Sequence, residues 1–289
     1  MKSSFSTFCS MYSVAIKLAF VHILHGRLRR GIYLLIRPID YWRVFEFLAT
    51  YDFLQPRHGE RILDASSPKL FSMFIATAAG SDVYPIDIYD DKGLSDTMFY
   101  KEQTRNDHLH VLMGDMRTLP FPDASFDKVF TISVLEHVFP PVGGDTIALR
   151  ELARVLKDDG VLVVTVPFAR THTVEYMHAD IYERKRGSSD EQLFYQRRYD
   201  GQSLVALMQS VPEFVVERQE YICERLFHMR NKEICQIIAE GNKVKRLSLA
   251  PLYPLFAAVF LKRTVEPLPS SDAMVACLKL RKVSKRSTR

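Results

Sequence analysis

Between Arg61 and Val166 the sequence alternates short apolar runs with segments whose apolar residues recur at helical spacing. The run Val161–Val166 (VLVVTV) is apolar at every position except Thr165, which is typical of a strand buried on both faces of a sheet. Strands that alternate with helices favour parallel pairing, because each helix carries the chain back across the sheet. The pattern therefore predicts an α/β fold with a doubly wound, mostly parallel sheet.

The same patterns predict where the individual elements lie. We expect strands at 61–65, 83–88, 109–113, 127–133, 161–166, 214–221 and 273–280, and helices at 69–79, 94–105, 143–156 and 203–210. Residues 1–55 are expected to form a helical N-terminal extension before a domain at 56–289. Within that domain, 169–201 is rich in polar aromatic and basic residues and is predicted to be a lid-like segment, and 222–272 is predicted to be an insertion before the last strand.

Charge and cysteine usage exclude several classes of protein. The net charge of +5 comes from 39 Lys and Arg against 34 Asp and Glu, and the last nine residues carry five of the positive charges. The rest of the chain is neutral, so we expect no nucleic-acid partner. The four cysteines lie far apart, which suits neither a disulfide framework nor a zinc site. No metal is expected, and a reducing, cytoplasmic setting is the simplest interpretation.

Two apolar stretches raise the question of a membrane. Val14–Leu24 is interrupted by Lys17 and His22, and Ala250–Leu261 has only twelve residues, so both are predicted to be too short to span a bilayer. Arginines follow the first stretch, which leaves two interpretations open. The segment is either a core-packing helix with a basic end, which we favour, or a peripheral contact with a membrane surface.

Acidic residues stand where the predicted strands end. Asp64 closes the first strand, Asp87 closes the second and Asp115 follows the third. In an open α/β sheet, ligands bind beyond the carboxyl ends of the strands, and a carboxylate there can accept hydrogen bonds from both hydroxyls of a ribose. A single aspartate at such a position can equally be a turn former. The three together favour a nucleotide-like ligand.

The strongest motifs follow the third strand. The stretches Gly114–Asp127 (GDMRTLPFPDASFD), Val129–Val138 (VFTISVLEHV) and Arg150–Val164 (RELARVLKDDGVLVV) resemble the class I S-adenosylmethionine-dependent methyltransferases, in particular the methyltransferase type 11 group. The resemblance covers about residues 60–168. It implies a Rossmann-like, seven-stranded sheet and S-adenosyl-L-methionine as the cofactor.

The resemblance also assigns roles to single positions. Asp64, Ala65, Ser66 and Ser67 would hold the methionine part of the cofactor, and Ser133, with Leu135, would line its methyl end. Asp87 would bind the ribose and Ile88 the adenine ring, while Asp115 would bind the adenine amino group with a backbone contact from Met116. His137 would be the catalytic base.

One loop departs from the family pattern. The first loop is usually D-x-G-x-G-x-G, whereas this chain reads Asp64-Ala-Ser-Ser-Pro-Lys69 and has no glycine between Asp64 and Gly80. Glycine allows positive φ angles and a close approach of the backbone to a ligand, and serine does so less freely. The loop is therefore either a working variant or the mark of a lost cofactor site.

The resemblance implies methyl transfer to an oxygen or nitrogen of a small-molecule or glycan-like acceptor. The alternative is a methyltransferase-fold protein that has lost its cofactor and acts as a binding or regulatory module. The absence of G-x-G-x-x-G argues against a nicotinamide enzyme. Other candidate bases are His172, Tyr176, His178 and Asp180, and the tyrosines and arginines of 171–199 suit a sugar or an anionic acceptor.

Overall fold

The structure of the protein is a computed structural model that describes residues 2–88, 92–177, 193–225, 249–268 and 274–284. Its helices are α1 (Lys2–Leu24), α2 (Leu28–Ile36), α3 (Tyr41–Leu54), α4 (Lys69–Ala78), α5 (Lys92–Thr104), α6 (Gly144–Val155), α7 (Gly201–Gln209) and α8 (Tyr253–Phe260). Its strands are β1 (Arg61–Ala65), β2 (Asp82–Asp87), β3 (Leu112–Met113), β4 (Phe126–Ile132), β5 (Leu156–Phe168), β6 (Thr173–Met177), β7 (Leu193–Arg198), β8 (Phe214–Glu224), β9 (Leu261–Thr264) and β10 (Met274–Lys282).

One large sheet organises the described part of the chain, with strand order β3-β2-β1-β4-β5-β10-β8-β9. The first five strands pair in parallel, and β10, β8 and β9 add antiparallel pairs at one end. The α/β fold with a doubly wound, mostly parallel sheet is thus confirmed. The sheet has eight strands rather than seven, because the four-residue β9 pairs with the edge of β8. So short a segment behind an apolar helix carries no alternation that identifies it as a strand.

Alternate residues of the central strands pack into two hydrophobic cores on opposite faces of the sheet. In β5, Val161 and Val163 join one core, while Leu162 and Val164 join the other. The first core also contains buried residues of α1, α3, α4 and α8, and the second contains those of α6 and α7. Because successive side chains of a strand point to opposite faces, the uninterrupted apolar run in β5 is what two covered faces require.

The N-terminal extension forms α1, α2 and α3, and α1 corrects one expectation. The apolar stretch is not confined to Val14–Leu24, because α1 begins at Lys2 and its segment Phe5–Leu24 is long and apolar enough to cross a bilayer. A third of that segment is buried within the fold. The serines and Lys17 hide this length in the sequence, but a 23-residue helix carries them on its surface.

A separate two-stranded sheet follows β5. Strands β6 and β7 form an antiparallel pair that occupies part of the predicted lid-like segment. His178 and Asp180, two of the candidate bases, lie outside the described residues. The strand β7 packs against the loop after β4, and its last residues therefore reach the carboxyl edge of the sheet.

Candidate functional site

The carboxyl ends of β1, β2 and β4 bring the predicted site residues to one edge of the sheet. Asp64 lies in β1 opposite Pro85 of β2 and Phe130 of β4, so the ends of these three strands are neighbours. Asp87 ends β2, and Ser133 follows β4. This edge is where ligands bind in open parallel sheets.

The loop after β1 is fixed by hydrogen bonds to two strands. The fully buried Asp64 accepts a hydrogen bond from the backbone N–H of Ser67 at 2.7 Å and another from the hydroxyl of Ser72 at 2.6 Å. The Ser67 hydroxyl in turn accepts from the backbone N–H of Ile132 at 2.8 Å. Its side chain therefore points into the fold, and a ligand could meet only the backbone of this residue.

Ser66 takes over the backbone conformation of a glycine. Its φ angle is +64°, in the left-handed region that glycine occupies without cost and other residues rarely adopt. A serine at this angle is uncommon, since the left-handed region is mainly populated by glycine, asparagine and aspartate. The loop therefore contains a positive φ angle without containing a glycine.

A buried lysine, which the sequence did not single out, lies between the first two strand ends. The Lys69 side chain is 4% exposed, and its Nζ donates to the carbonyl oxygens of Ser67 at 2.9 Å and Ile86 at 2.8 Å. The same atom lies 3.4 Å from Asp64 Oδ2 and 3.6 Å from Asp87 Oδ2. A lysine in the first turn of an apolar helix was the available signal. Its position between two aspartates follows only from the fold.

The residues predicted to bind a ribose and a base remain accessible to solvent. The Asp87 side chain is 19% exposed, and its Oδ1 accepts from the backbone N–H of Ile88 at 2.9 Å. Ile88 is 44% exposed, which leaves an apolar side chain at the open end of β2.

Asp115 is held by its neighbour Arg117. Both carboxylate oxygens accept hydrogen bonds from the guanidinium, and Oδ1 also accepts from the Arg117 backbone N–H at 2.8 Å. Partial burial would raise the pKa of Asp115, but the hydrogen bonds and charge of Arg117 hold that pKa below its usual value. Asp115 is therefore ionised at neutral pH. The adjacent Met116 is buried, so only its backbone could contact a ligand.

Helix α3 packs against β4 and β5 and bonds to residues near their ends. Its buried Glu46 accepts hydrogen bonds from the Ser133 hydroxyl at 2.5 Å and the Thr165 hydroxyl at 3.0 Å. The other carboxylate oxygen accepts from Arg43 at 2.7 Å. Sequence reasoning missed Glu46, since 87 residues separate it from Ser133. The nearby Leu135, expected beside the methyl end, is fully buried in the second core.

Glu136 and His137 form the turn that follows Ser133. Glu136 is 2% exposed, and its Oε2 has no hydrogen-bond partner among the described residues. Burial raises the pKa of Glu136 to about 8, with Glu46 adding to the rise and Arg43 and Arg197 opposing it. His137 Nδ1 lies 2.7 Å from the carbonyl oxygen of Tyr195, and its Nε2 lies 3.7 Å from Glu136 Oε1.

Two residues of β7 and its end have structural roles. The buried Arg197 guanidinium donates to the carbonyl oxygens of Glu136 at 3.1 Å and Val138 at 3.0 Å, which fixes the turn that carries His137. The buried Tyr199 hydroxyl donates to Asp145 at 2.8 Å. The expectation that Arg197 and Tyr199 would face a sugar or an anionic acceptor is therefore wrong, because both lie inside the fold.

Comparison with known proteins shows what the central part of the chain resembles. Residues 68–164, about a third of the chain, match the family model described as a methyltransferase domain. The match runs from the loop before α4 into the apolar run of β5, so it contains the Asp87, Asp115 and His137 positions and begins four residues after Asp64. S-adenosylmethionine is the cofactor of this class of domain.

Curated relatives match the central part of the chain. Over 116 residues the chain is 36% identical to a demethylmenaquinone methyltransferase of Beutenbergia cavernae, which is 40% of this chain and 44% of that protein. Over 118 residues it is 29% identical to a probable S-adenosylmethionine-dependent methyltransferase of Mycobacterium tuberculosis, covering 40% of this chain and 39% of the relative. The chain therefore spans less than half the length of the curated relatives it matches.

Solved structures share the fold across most of the chain. A [4+2]-cyclase superposes with a TM-score of 0.52 at 17% identity, covering 84% of this chain and 82% of that one. The geranyl diphosphate C-methyltransferase of Streptomyces coelicolor gives 0.51 at 14% identity, covering 83% and 78%. At these identities the likeness concerns the fold alone.

The residues at this edge fit S-adenosylmethionine. Ser66 has a positive φ angle in the loop after β1, and the partly exposed Asp87 and Asp115 offer carboxylate oxygens to hydroxyl and amino groups. Ile88 offers an exposed apolar side chain to a planar ring. Lys69 adds a positive charge between the first two aspartates.

Proposed function

We propose that the protein transfers a methyl group from S-adenosylmethionine to an oxygen or nitrogen atom of a small-molecule or glycan-like acceptor, in the cytoplasm. The observation that carries the proposal is the loop after β1. Without glycine, this loop keeps a left-handed residue at Ser66 and a fixed Asp64, beside Asp87 at the same edge of the sheet. A residue other than glycine at a positive φ is strained, and such residues cluster at ligand-binding sites.

The proposed contacts follow from the positions of the residues. The backbone of 65–67 holds the methionine part of the cofactor, because the Asp64 and Ser67 side chains are engaged within the fold. Asp87 accepts from the ribose hydroxyls and Ile88 packs on the adenine. Asp115 accepts from the adenine amino group, with the backbone of Met116 beside it. The backbone of Ser133 faces the methyl end, since its hydroxyl is bound to Glu46.

The bound cofactor supplies a methyl group that is already activated by its sulfonium, so the chain mainly needs to align the acceptor with it. The acceptor atom forms a bond to the methyl carbon while the carbon–sulfur bond breaks and its electron pair stays on sulfur. His137 is the proposed base for the acceptor proton. Its Nδ1–H donates to the Tyr195 carbonyl, which leaves Nε2 of the neutral ring as the proton acceptor.

A second candidate is a methyltransferase-fold protein that binds a partner instead of the cofactor. Lys69 favours it, because its ammonium lies 3.6 Å from the Asp87 oxygen that a ribose would need. The [4+2]-cyclase of the same fold illustrates that the fold alone does not fix the reaction.

The test supplies a methyl-labelled donor to the purified protein with a panel of sugars, amines and small alcohols. Wild type is expected to label at least one acceptor, and His137→Asn to lose about a hundredfold or more of kcat while retaining affinity for the cofactor product. The matched control is His110→Asn, because His110 is a partly exposed histidine that pairs with Asp82 at the start of β2. Binding of the cofactor product without transfer to any member of the panel would refute the proposed acceptor class. Unchanged kcat in His137→Asn would refute the role of the base.

A further inference from the structure

Helix α1 buries one side and exposes large apolar residues on the other. Its inner side carries Met11, Val14 and Leu18, which are buried in the first core. Its outer side exposes Phe5, Phe20 and Leu24, with Leu24 78% exposed. Ser6, Cys9, Ser10, Ser13 and Lys17 are exposed as well, and they lie between Phe5 and Phe20 along the helix. In the described part of the chain nothing covers the outer side of α1.

Helix α2 extends the exposed surface. Leu28 and Ile32 are one turn apart on α2, which packs against α1, and both are exposed. Gly31 lets the two helices pack closely, since a Cβ there would lie 2.7 Å from the carbonyl oxygen of Ala19. The five residues that form this surface, here called the outer stripe, are Phe5, Phe20, Leu24, Leu28 and Ile32.

The charges around the outer stripe have one sign. Residues 1–39 contain no Asp or Glu but six Lys and Arg, and the first acidic residue is Asp40. Arg30 pairs with Asp96, and Arg37 pairs with Asp40. Lys17, Arg27 and Arg29 form no ion pair with any acidic residue that the structure describes. Basic side chains beside exposed apolar ones complement an anionic lipid surface, which takes up both groups at once.

The helices are anchored to the methyltransferase domain, which favours lying on a bilayer over crossing it. Asp96 of α5 receives the Arg30 guanidinium at 2.5 Å and lies 3.2 Å from the buried His22 of α1. Crossing a membrane would pull this cluster and the inner side of α1 out of the first core. Docking through the outer stripe leaves both in place.

We infer that the outer stripe is a docking surface for the face of an anionic lipid bilayer. The apolar side chains enter the boundary between headgroups and acyl chains, and Lys17, Arg27 and Arg29 contact the lipid phosphates. The contact does not depend on methyl transfer.

Co-sedimentation of the full chain with vesicles tests this inference. Binding is expected to vesicles of phosphatidylcholine with about a third phosphatidylglycerol, to be much weaker with phosphatidylcholine alone, and to fall as salt rises. Equal, salt-insensitive binding to both vesicle types would overturn the role of charge. No binding at low salt would overturn the inference as a whole.

Matched variants locate the surface. Phe20→Ser is expected to weaken binding roughly tenfold, because a half-exposed phenyl ring no longer enters the lipid. Arg29→Gln is expected to weaken it about fivefold. The controls are Val205→Ser, an equally exposed apolar residue on α7, and Arg57→Gln, an exposed arginine beyond α3. If the control variants bound vesicles as weakly as Phe20→Ser and Arg29→Gln do, the contact would lie elsewhere on the protein. If the chain did not bind vesicles but self-associated with rising concentration, and Phe20→Ser abolished that association, the outer stripe would be a contact with a second copy of the chain.

Discussion

Replacing Lys69 by methionine tests how the first loop works without glycine. Methionine keeps the length and most of the volume of the side chain but removes the ammonium. The change leaves Asp64, which is fully buried, and Asp87 without the cation that lies 3.4 and 3.6 Å from them. It also removes the donor that the Ser67 and Ile86 carbonyl oxygens share.

The expected cost is large because the group is buried. Removing one partner of a buried ion pair typically costs about 3–5 kcal/mol, since the remaining charge is left without compensation. Ser67 and Ser72 still donate to Asp64, so we expect the lower end, about 3 kcal/mol. By contrast, Lys157→Met breaks a surface pair with Asp127, in which the lysine is 44% exposed, and should cost at most about 1 kcal/mol.

Urea unfolding followed by circular dichroism measures both variants against wild type. The reasoning predicts a clearly lower midpoint for Lys69→Met at unchanged slope, and a midpoint near that of wild type for Lys157→Met. If Lys69→Met were as stable as Lys157→Met, the ammonium would not be holding the two strand ends together. The account of the loop would then be refuted.

Two further predictions concern the carboxyl edge. The pKa of Glu136 is about 8 in the folded protein and about 4.5 in the unfolded chain, so between these pH values only the folded protein keeps the proton. The free energy of unfolding therefore falls as pH rises through this range, by about 1.4 kcal/mol per pH unit. Glu136→Gln is expected to remove that part of the pH dependence in urea unfolding measured across this range. At Ser66, valine is expected to lower stability by about 1–2 kcal/mol and to weaken binding of S-adenosylhomocysteine, because a β-branched residue resists a positive φ, whereas Ser66→Gly should bind as wild type does.

Each of these predictions has a result that contradicts it. An unchanged pH profile in Glu136→Gln would mean that Glu136 is ionised in the folded protein. Normal stability and binding in Ser66→Val would mean that the left-handed conformation of residue 66 is not needed.

The sequence predicted the elements of the sheet because local patterns specify them. The helix at α4 and the buried strand β5 follow from apolar spacing, and the aspartates at the ends of β1 and β2 follow from the strand boundaries. The strand β9 and the full length of α1 were missed. The four residues of β9 are too few to show an alternating pattern. In α1, polar residues interrupt the apolar ones, so the sequence does not show how long the helix is.

The site was predicted only where a motif carried it. Asp64, Asp87 and Asp115 lie at the expected edge, but what surrounds them depends on distant parts of the chain. Glu46 reaches Ser133 from α3, and Lys69 lies between two strand ends. These contacts join residues that the fold brings together, so they cannot be predicted from local spacing in the sequence.

A calorimetric titration of the purified full chain with S-adenosylhomocysteine, beside an Asp87→Ala variant, tests the central claim most directly. The account predicts micromolar binding to wild type and binding at least tenfold weaker in the variant, because the ribose hydroxyls lose a charged acceptor. No heat from wild type whose fold is verified by circular dichroism would contradict it. The loop with Ser66 and Lys69 would then no longer bind the cofactor, and the second candidate, a methyltransferase-fold protein that binds a partner, would be the correct interpretation.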